Sequence, residues 1–145
     1  MNGPVARPEI PFIDRLHIIS FATASHTAGV TLMIAIVWQF DVQPDRNAEF
    51  EEFYGANGAW SLMNRRSRSY LGCSFLRDQS LSSRYLMVEY WSEMIVYERH
   101  KISRQREIAE LEARRNALVA SIEPLGVFTA LDVPERAGPT WSRRR

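Results

Sequence analysis

Between Met33 and Val42 the chain alternates Ile34, Ile36, Trp38, Phe40 and Val42 with Met33, Ala35 and Val37, and turns polar on the second face only at Gln39 and Asp41. A period of two with apolar residues on both faces predicts a strand covered on both sides. Pro44 then suits the first turn of a helix, and Asp45, Glu49, Glu51 and Glu52 place negative charge near its positive end. Phe50, Phe53 and Tyr54, followed by Trp60, Leu62 and Met63, form its apolar face, and Gly55 and Gly58 predict a kink or split between them.

Two further alternating runs, Tyr70–Arg77 and Arg84–Trp91, are separated by a short polar stretch from Asp78 to Ser83, which predicts an antiparallel hairpin. Ser92 is positioned to cap a second helix carrying Met94, Tyr97 and Ile102. Ser103 could cap its continuation, with Ile108, Leu111, Leu118 and Ile122 at roughly helical intervals. The Arg, Glu and Gln residues between them read as a solvated face. Gly126 precedes a last strand predicted at Val127–Val133, which Pro134 stops.

The order β-α-β-β-α-β predicts an α+β, ferredoxin-like domain: one antiparallel sheet with both helices on one face. Apolar side chains on the other face, with no third layer to cover them, point to a homodimer that presses sheet against sheet into a dimeric α/β barrel. The expected organisation is an N-terminal arm of low order at 1–32, the domain at 33–133 and a tail at 134–145.

Composition narrows the partners. The chain has 145 residues, 46% hydrophobic and 24% charged, with a formal net charge of +1, so it suits one globular domain with no net field toward nucleic acid or a membrane surface. The run Leu16–Phe21, interrupted by His17, is short for a secretory leader, and no uncharged apolar window reaches membrane-spanning length. Cys73 is the single cysteine, which excludes an internal disulfide and fits a cytoplasmic setting. His17, His26 and His100 make no zinc motif, so no metal site is expected. Cys73 itself reads as a small buried hydrophobe.

The most specific local pattern is Glu89-Tyr90-Trp91-Ser92, continuing to His100 and Ser103, nine and twelve residues beyond Trp91. It resembles the antibiotic biosynthesis monooxygenase superfamily, whose members often end the third strand with E-x-W or E-x-Y and place a histidine and a serine on the next helix. That resemblance implies a dimeric α/β barrel with a pocket between the sheet and the helices of each subunit. Family members include enzymes that oxidise anthrone-type or quinol substrates with O2 and no cofactor, and others that cleave haem.

Within this resemblance His100 is a candidate proton acceptor or iron ligand, and Trp60, Tyr70 and Arg84 are candidates for holding and stabilising a phenolate-like anion. Asn57, Glu89, Trp91 and Gln39 are candidates for binding a small flat aromatic molecule. Asn57, Trp60, Tyr70 and Arg84 are comparable to the set that shapes the pocket in anthrone-oxidising members, although their spacing differs. For each aromatic the alternative role is packing in the core, and for Glu89 it is pairing with an arginine such as Arg84 or Arg77. Haem as cofactor is the alternative to none. The haem-cleaving pattern asks for an asparagine on the first strand, where this chain has Trp38 and Gln39.

Overall fold

The computed structural model describes residues 33–131; the expected arm at 1–32, the tail at 134–145 and the strand end at Val133 lie outside the described residues. Strand β1 (Ile34–Val42) buries Ile34, Ile36, Trp38, Phe40 and Val42 against the helices, with Phe40 and Phe50 in edge contact at 5.3 Å between ring centroids. Helix α1 (Asn47–Tyr54) starts after Pro44, in a correction to the predicted boundary, because Asp45 takes a left-handed φ of 63° that no helix continues through. Gly55 and Gly58 do divide the element. Gly58 sits so close to the carbonyls of Glu52 and Phe53 that a side-chain carbon would collide with them, and beyond it α2 (Ala59–Asn64) turns Trp60 inward.

Strands β2 (Tyr70–Arg77) and β3 (Arg84–Trp91) form the expected hairpin, whose turn is held by Asp78 Oδ1 accepting from the backbone N–H groups of Ser80 and Leu81. A bulge between Tyr70 and Gly72, where Gly72 has φ 117°, keeps Tyr70 on the helix side opposite Trp91. Helix α3 (Met94–Ser103) follows, and a kink at Arg104 separates it from α4 (Gln105–Asn116). Ser103 does not cap α4. Its hydroxyl donates back to the His100 carbonyl at 3.0 Å.

The largest departure lies at the last strand. β4 (Val119–Thr129) starts well before the predicted Val127, so Leu118 lies in the turn and Ile122 in the strand rather than at the end of a helix. The helical spacing of those two residues is overridden by pairing with β1, along which β4 runs almost end to end. Pro124 and Gly126 are accepted because β4 is an edge strand, and a register shift opposite Val37/Trp38 absorbs them.

The sheet order is β2-β3-β1-β4 with every neighbour antiparallel, the ferredoxin-like α+β arrangement with each helix in two pieces. Its far face carries Val37, Leu86, Val88 and Tyr90, half-buried, and Leu76 and Phe128, each 51% exposed. Among the described residues no second layer covers it. None of their helices is long and apolar enough to cross a membrane.

Candidate functional site: a carboxylate between two indoles

Glu89 stands on β3 opposite Ile36 of β1 and Cys73 of β2, so strand parity points it into the layer between sheet and helices, where it is 1% exposed. A buried carboxylate is tolerated only when its oxygens are bonded. Trp60 of α2 donates its indole N–H to Oε1 at 2.6 Å, and Trp91, two residues along the same strand and hence on the same face, donates to Oε2 at 3.1 Å. The Lys101 ammonium and the Arg115 guanidinium lie 5.6 and 6.0 Å from the centroid of the Trp60 ring.

On the other side of Trp91 the site continues into aromatic and imidazole rings. The centroids of Tyr70, Tyr97 and His100 lie 5.3, 5.2 and 4.9 Å from Trp91. His100 Nε2 is 3.2 Å from Asn64 Oδ1, and since a carboxamide oxygen only accepts, this contact places the imidazole proton on Nε2. Burial, followed by the positive charges of Arg104 and Lys101, lowers the His100 pKa to about 4, so the ring is neutral near pH 7. With its proton on Nε2, the neutral ring keeps its lone pair on Nδ1.

Burial pushes the Glu89 pKa up, while Lys101 pulls it back most, followed by the indole donors of Trp60 and Trp91 and the nearby Asn64 carboxamide. Burial lowers Lys101, opposed by Glu89 and Glu112. Tyr54, Tyr70 and Tyr97 are all raised by burial and stay as neutral O–H groups. The Tyr97 hydroxyl is buried and, among the described residues, accepts and donates no hydrogen bond. The arrangement can therefore accept a proton at Glu89 and offer neutral donors around it. It has the components of a base in an apolar, electrostatically organised interior.

Of the residues singled out from sequence, Trp60, Tyr70, Glu89, Trp91 and His100 are brought together here. The other three are not. Register puts Gln39 opposite Leu86 on the far face of the sheet, and Arg84 opposite Asp41 on that same face, with Nε 3.5 Å from Oδ1. Asn57 is exposed in the link between α1 and α2, where it lines a separate open cavity of about 490 Å³ with Arg46, Glu52, Phe53 and Arg114. The Asn-Trp-Tyr-Arg set is thus divided among three places, and Glu89 pairs with indoles instead of Arg84 or Arg77.

Sequence reasoning missed Asn64, Tyr97, Lys101 and Arg115. Asn64 falls four residues after Trp60, and Lys101 four after Tyr97, spacings that put each pair on one helical face. Arg115 was assigned to a solvated face yet is 3% exposed, its guanidinium bonded to Asn116 Oδ1 at 3.1 Å and 4.0 Å from Glu112. Among the described residues no cluster of histidine, cysteine and carboxylate side chains is arranged to hold a metal ion.

No protein-family model matches the chain, and no curated protein matches it in sequence. Solved structures do. SnoaB, a cofactor-independent oxygenase from Streptomyces nogalater, aligns over 72% of this chain and 99% of its own at 22% identity and a TM-score of 0.59. A candidate antibiotic biosynthesis monooxygenase from Bordetella bronchiseptica aligns over 70% of this chain and 98% of its own, at 25% identity and a TM-score of 0.53. Another from Caulobacter crescentus covers 70% and 92%, at 20% identity and a TM-score of 0.57.

Proposed function

We propose, for a chain with the fold of the antibiotic biosynthesis monooxygenase superfamily, that it oxidises a small, flat phenolic or polyketide-type aromatic with O2 and no added cofactor. The observation that carries this reading is the buried Glu89 carboxylate clamped by the indoles of Trp60 and Trp91. A carbon acid such as an anthrone methylene gives its proton to Glu89, and the resulting electron-rich anion reduces O2 itself. One oxygen atom enters the substrate as a carbonyl and the other leaves as water, so a CH2 group and O2 yield C=O and H2O. The protein supplies the base, the aromatic walls and exclusion of water. Neutral His100 accepts at Nδ1 from a substrate hydroxyl, and the Tyr97 hydroxyl donates to a substrate oxygen.

The apolar far face of the sheet supports pairing of two copies, each with its own site. A second reading, a non-catalytic dimeric module, is favoured by how fully rings fill part of the helix side, where Phe50 lies 4.9 Å from Tyr85 and Phe75 5.3 Å from Tyr85. Oxygen uptake with an anthrone or a hydroquinone separates the two. Uptake above the uncatalysed rate, abolished by Glu89→Gln, is the expected result; wild-type uptake at the uncatalysed rate sinks the oxygenase reading.

A further inference from the structure

Lys101 belongs to a helix whose charged residues would ordinarily face water, yet its ammonium nitrogen is buried. It lies 5.9 Å from the Trp38 ring, 5.6 Å from Trp60 and 5.3 Å from Tyr97. Three aromatic faces contributed by β1, α2 and α3 therefore surround one cation, a means of holding charge where water does not reach. The Trp60 indole faces both charges: its ring meets Lys101 and its N–H bonds Glu89 at 2.6 Å.

We propose that Lys101 is the fixed counter-charge of the site, balancing the Glu89 carboxylate at rest and, once Glu89 has taken a proton, balancing the anion left on the substrate. The second half rests on the oxygenase reading above; the first does not. In the proton transfer a substrate C–H bond breaks, its electron pair stays on the substrate and the proton goes to a Glu89 oxygen. One negative charge thereby moves across an apolar interior. A fixed cation in reach of both positions keeps that displacement from becoming prohibitive.

The other groups facing Glu89 do not replace it. From α1, β2 and α3 come Tyr54, Tyr70 and Tyr97, all neutral, together with His100, neutral above about pH 4. Asn64 of α2 and Cys73 of β2 bring no positive charge. From α4 come Arg115 and Glu112, 4.0 Å apart, and neither is among the groups that act most on Glu89. Among the groups that favour ionised Glu89, Lys101 acts most strongly.

Carbon-13 NMR of glutamate-labelled protein, with the Glu89 signal assigned through Glu89→Gln, reads this directly. Lys101→Met is expected to raise the Glu89 titration midpoint by about one pH unit or more, and Lys101→Arg to restore most of it. A midpoint that Lys101→Met leaves in place overturns the proposal. Should Lys101→Met not fold, the double variant Lys101→Met/Glu89→Gln is expected to fold and melt higher, because the uncompensated carboxylate is gone; a double variant no more stable than the single one overturns it equally. With an oxidisable substrate, kcat is expected to fall about tenfold or more in Lys101→Met and recover in Lys101→Arg, and an unchanged kcat removes the second half. Wild-type protein that turns over no substrate sinks the oxygenase reading, and the titration then decides the counter-charge alone.

Discussion

Trp60 Nε1 and Glu89 Oε1 meet at 2.6 Å across the gap between α2 and β3, joining the shortest described helix to a central strand through one charge-assisted hydrogen bond. Trp60→Phe keeps an aromatic ring but removes the donor together with the pyrrole half of the buried indole. One carboxylate oxygen would then be buried without its bond, and the expected loss is about 1–3 kcal/mol. Urea denaturation measures it. A loss below about 0.5 kcal/mol, the scatter of ordinary surface changes, means that the bond does not hold α2 in place.

Glu89→Gln separates charge from shape. The carboxamide still accepts from one indole, but its NH2 group faces the other indole donor, so stability is expected to fall by about 1–2 kcal/mol with the fold retained. Proton abstraction, in contrast, loses its base, and substrate-dependent oxygen uptake is expected to drop at least about 100-fold. An oxygen electrode and near-ultraviolet circular dichroism on the same sample read both effects. Uptake within a few fold of wild type would take Glu89 out of the reaction.

Strand parity makes part of this site legible in the sequence. Glu89 and Trp91 share a face by their spacing, so these two can be placed together from sequence, and His100 joins them through the family resemblance. Gln39 and Arg84 stand apart from Glu89 for the same physical reason that Trp91 stands beside it. Each alternates to the opposite face, and that parity follows from register: Ile36 and Glu89 pair on the helix side, Asp41 and Arg84 on the other. Lys101 and Arg115 were illegible because a charged residue on a polar helix is ordinarily solvated. Only the packing of Trp60 and Trp38 against them shows otherwise. Leu118 and Ile122 mimic a helical period that the β1–β4 ladder overrides, a long-range pairing with no local signature.

His100 gives a pH signature of definite sign. Its folded pKa of about 4 lies below its ordinary value of 6.5, so between those values the unfolded chain binds more protons than the native one. Its contribution to stability is therefore complete above about pH 6.5 and is lost progressively as pH falls toward 4. Glu89, with its pKa raised, acts in the opposite sense, so His100→Gln is needed to isolate the imidazole. Stability measured against pH should show a shallower decline below pH 6.5 in His100→Gln than in wild type. An imidazole NMR titration with its midpoint near 6.5 would show instead that the ring is not held neutral by its surroundings.

The far face of the sheet makes the last prediction. Leu76 on β2 and Phe128 on β4 are each 51% exposed, and the strands between them carry Val37, Leu86 and Val88 on the same side. Apolar residues on all four strands of this face give a surface that two copies can cover together, and a pairing of standard size buries roughly 800 Å² on each copy. Sedimentation velocity is expected to show a dimer for the wild type and a monomer for the double variant Leu76→Glu/Phe128→Glu, since two carboxylates per copy would have to be desolvated in the interface. Neither residue touches Glu89, Trp60 or Lys101, so a monomeric variant that keeps its native circular dichroism tests the interface without disturbing the site. A wild type that sediments as a monomer at high concentration would remove the barrel and leave the far face to another partner.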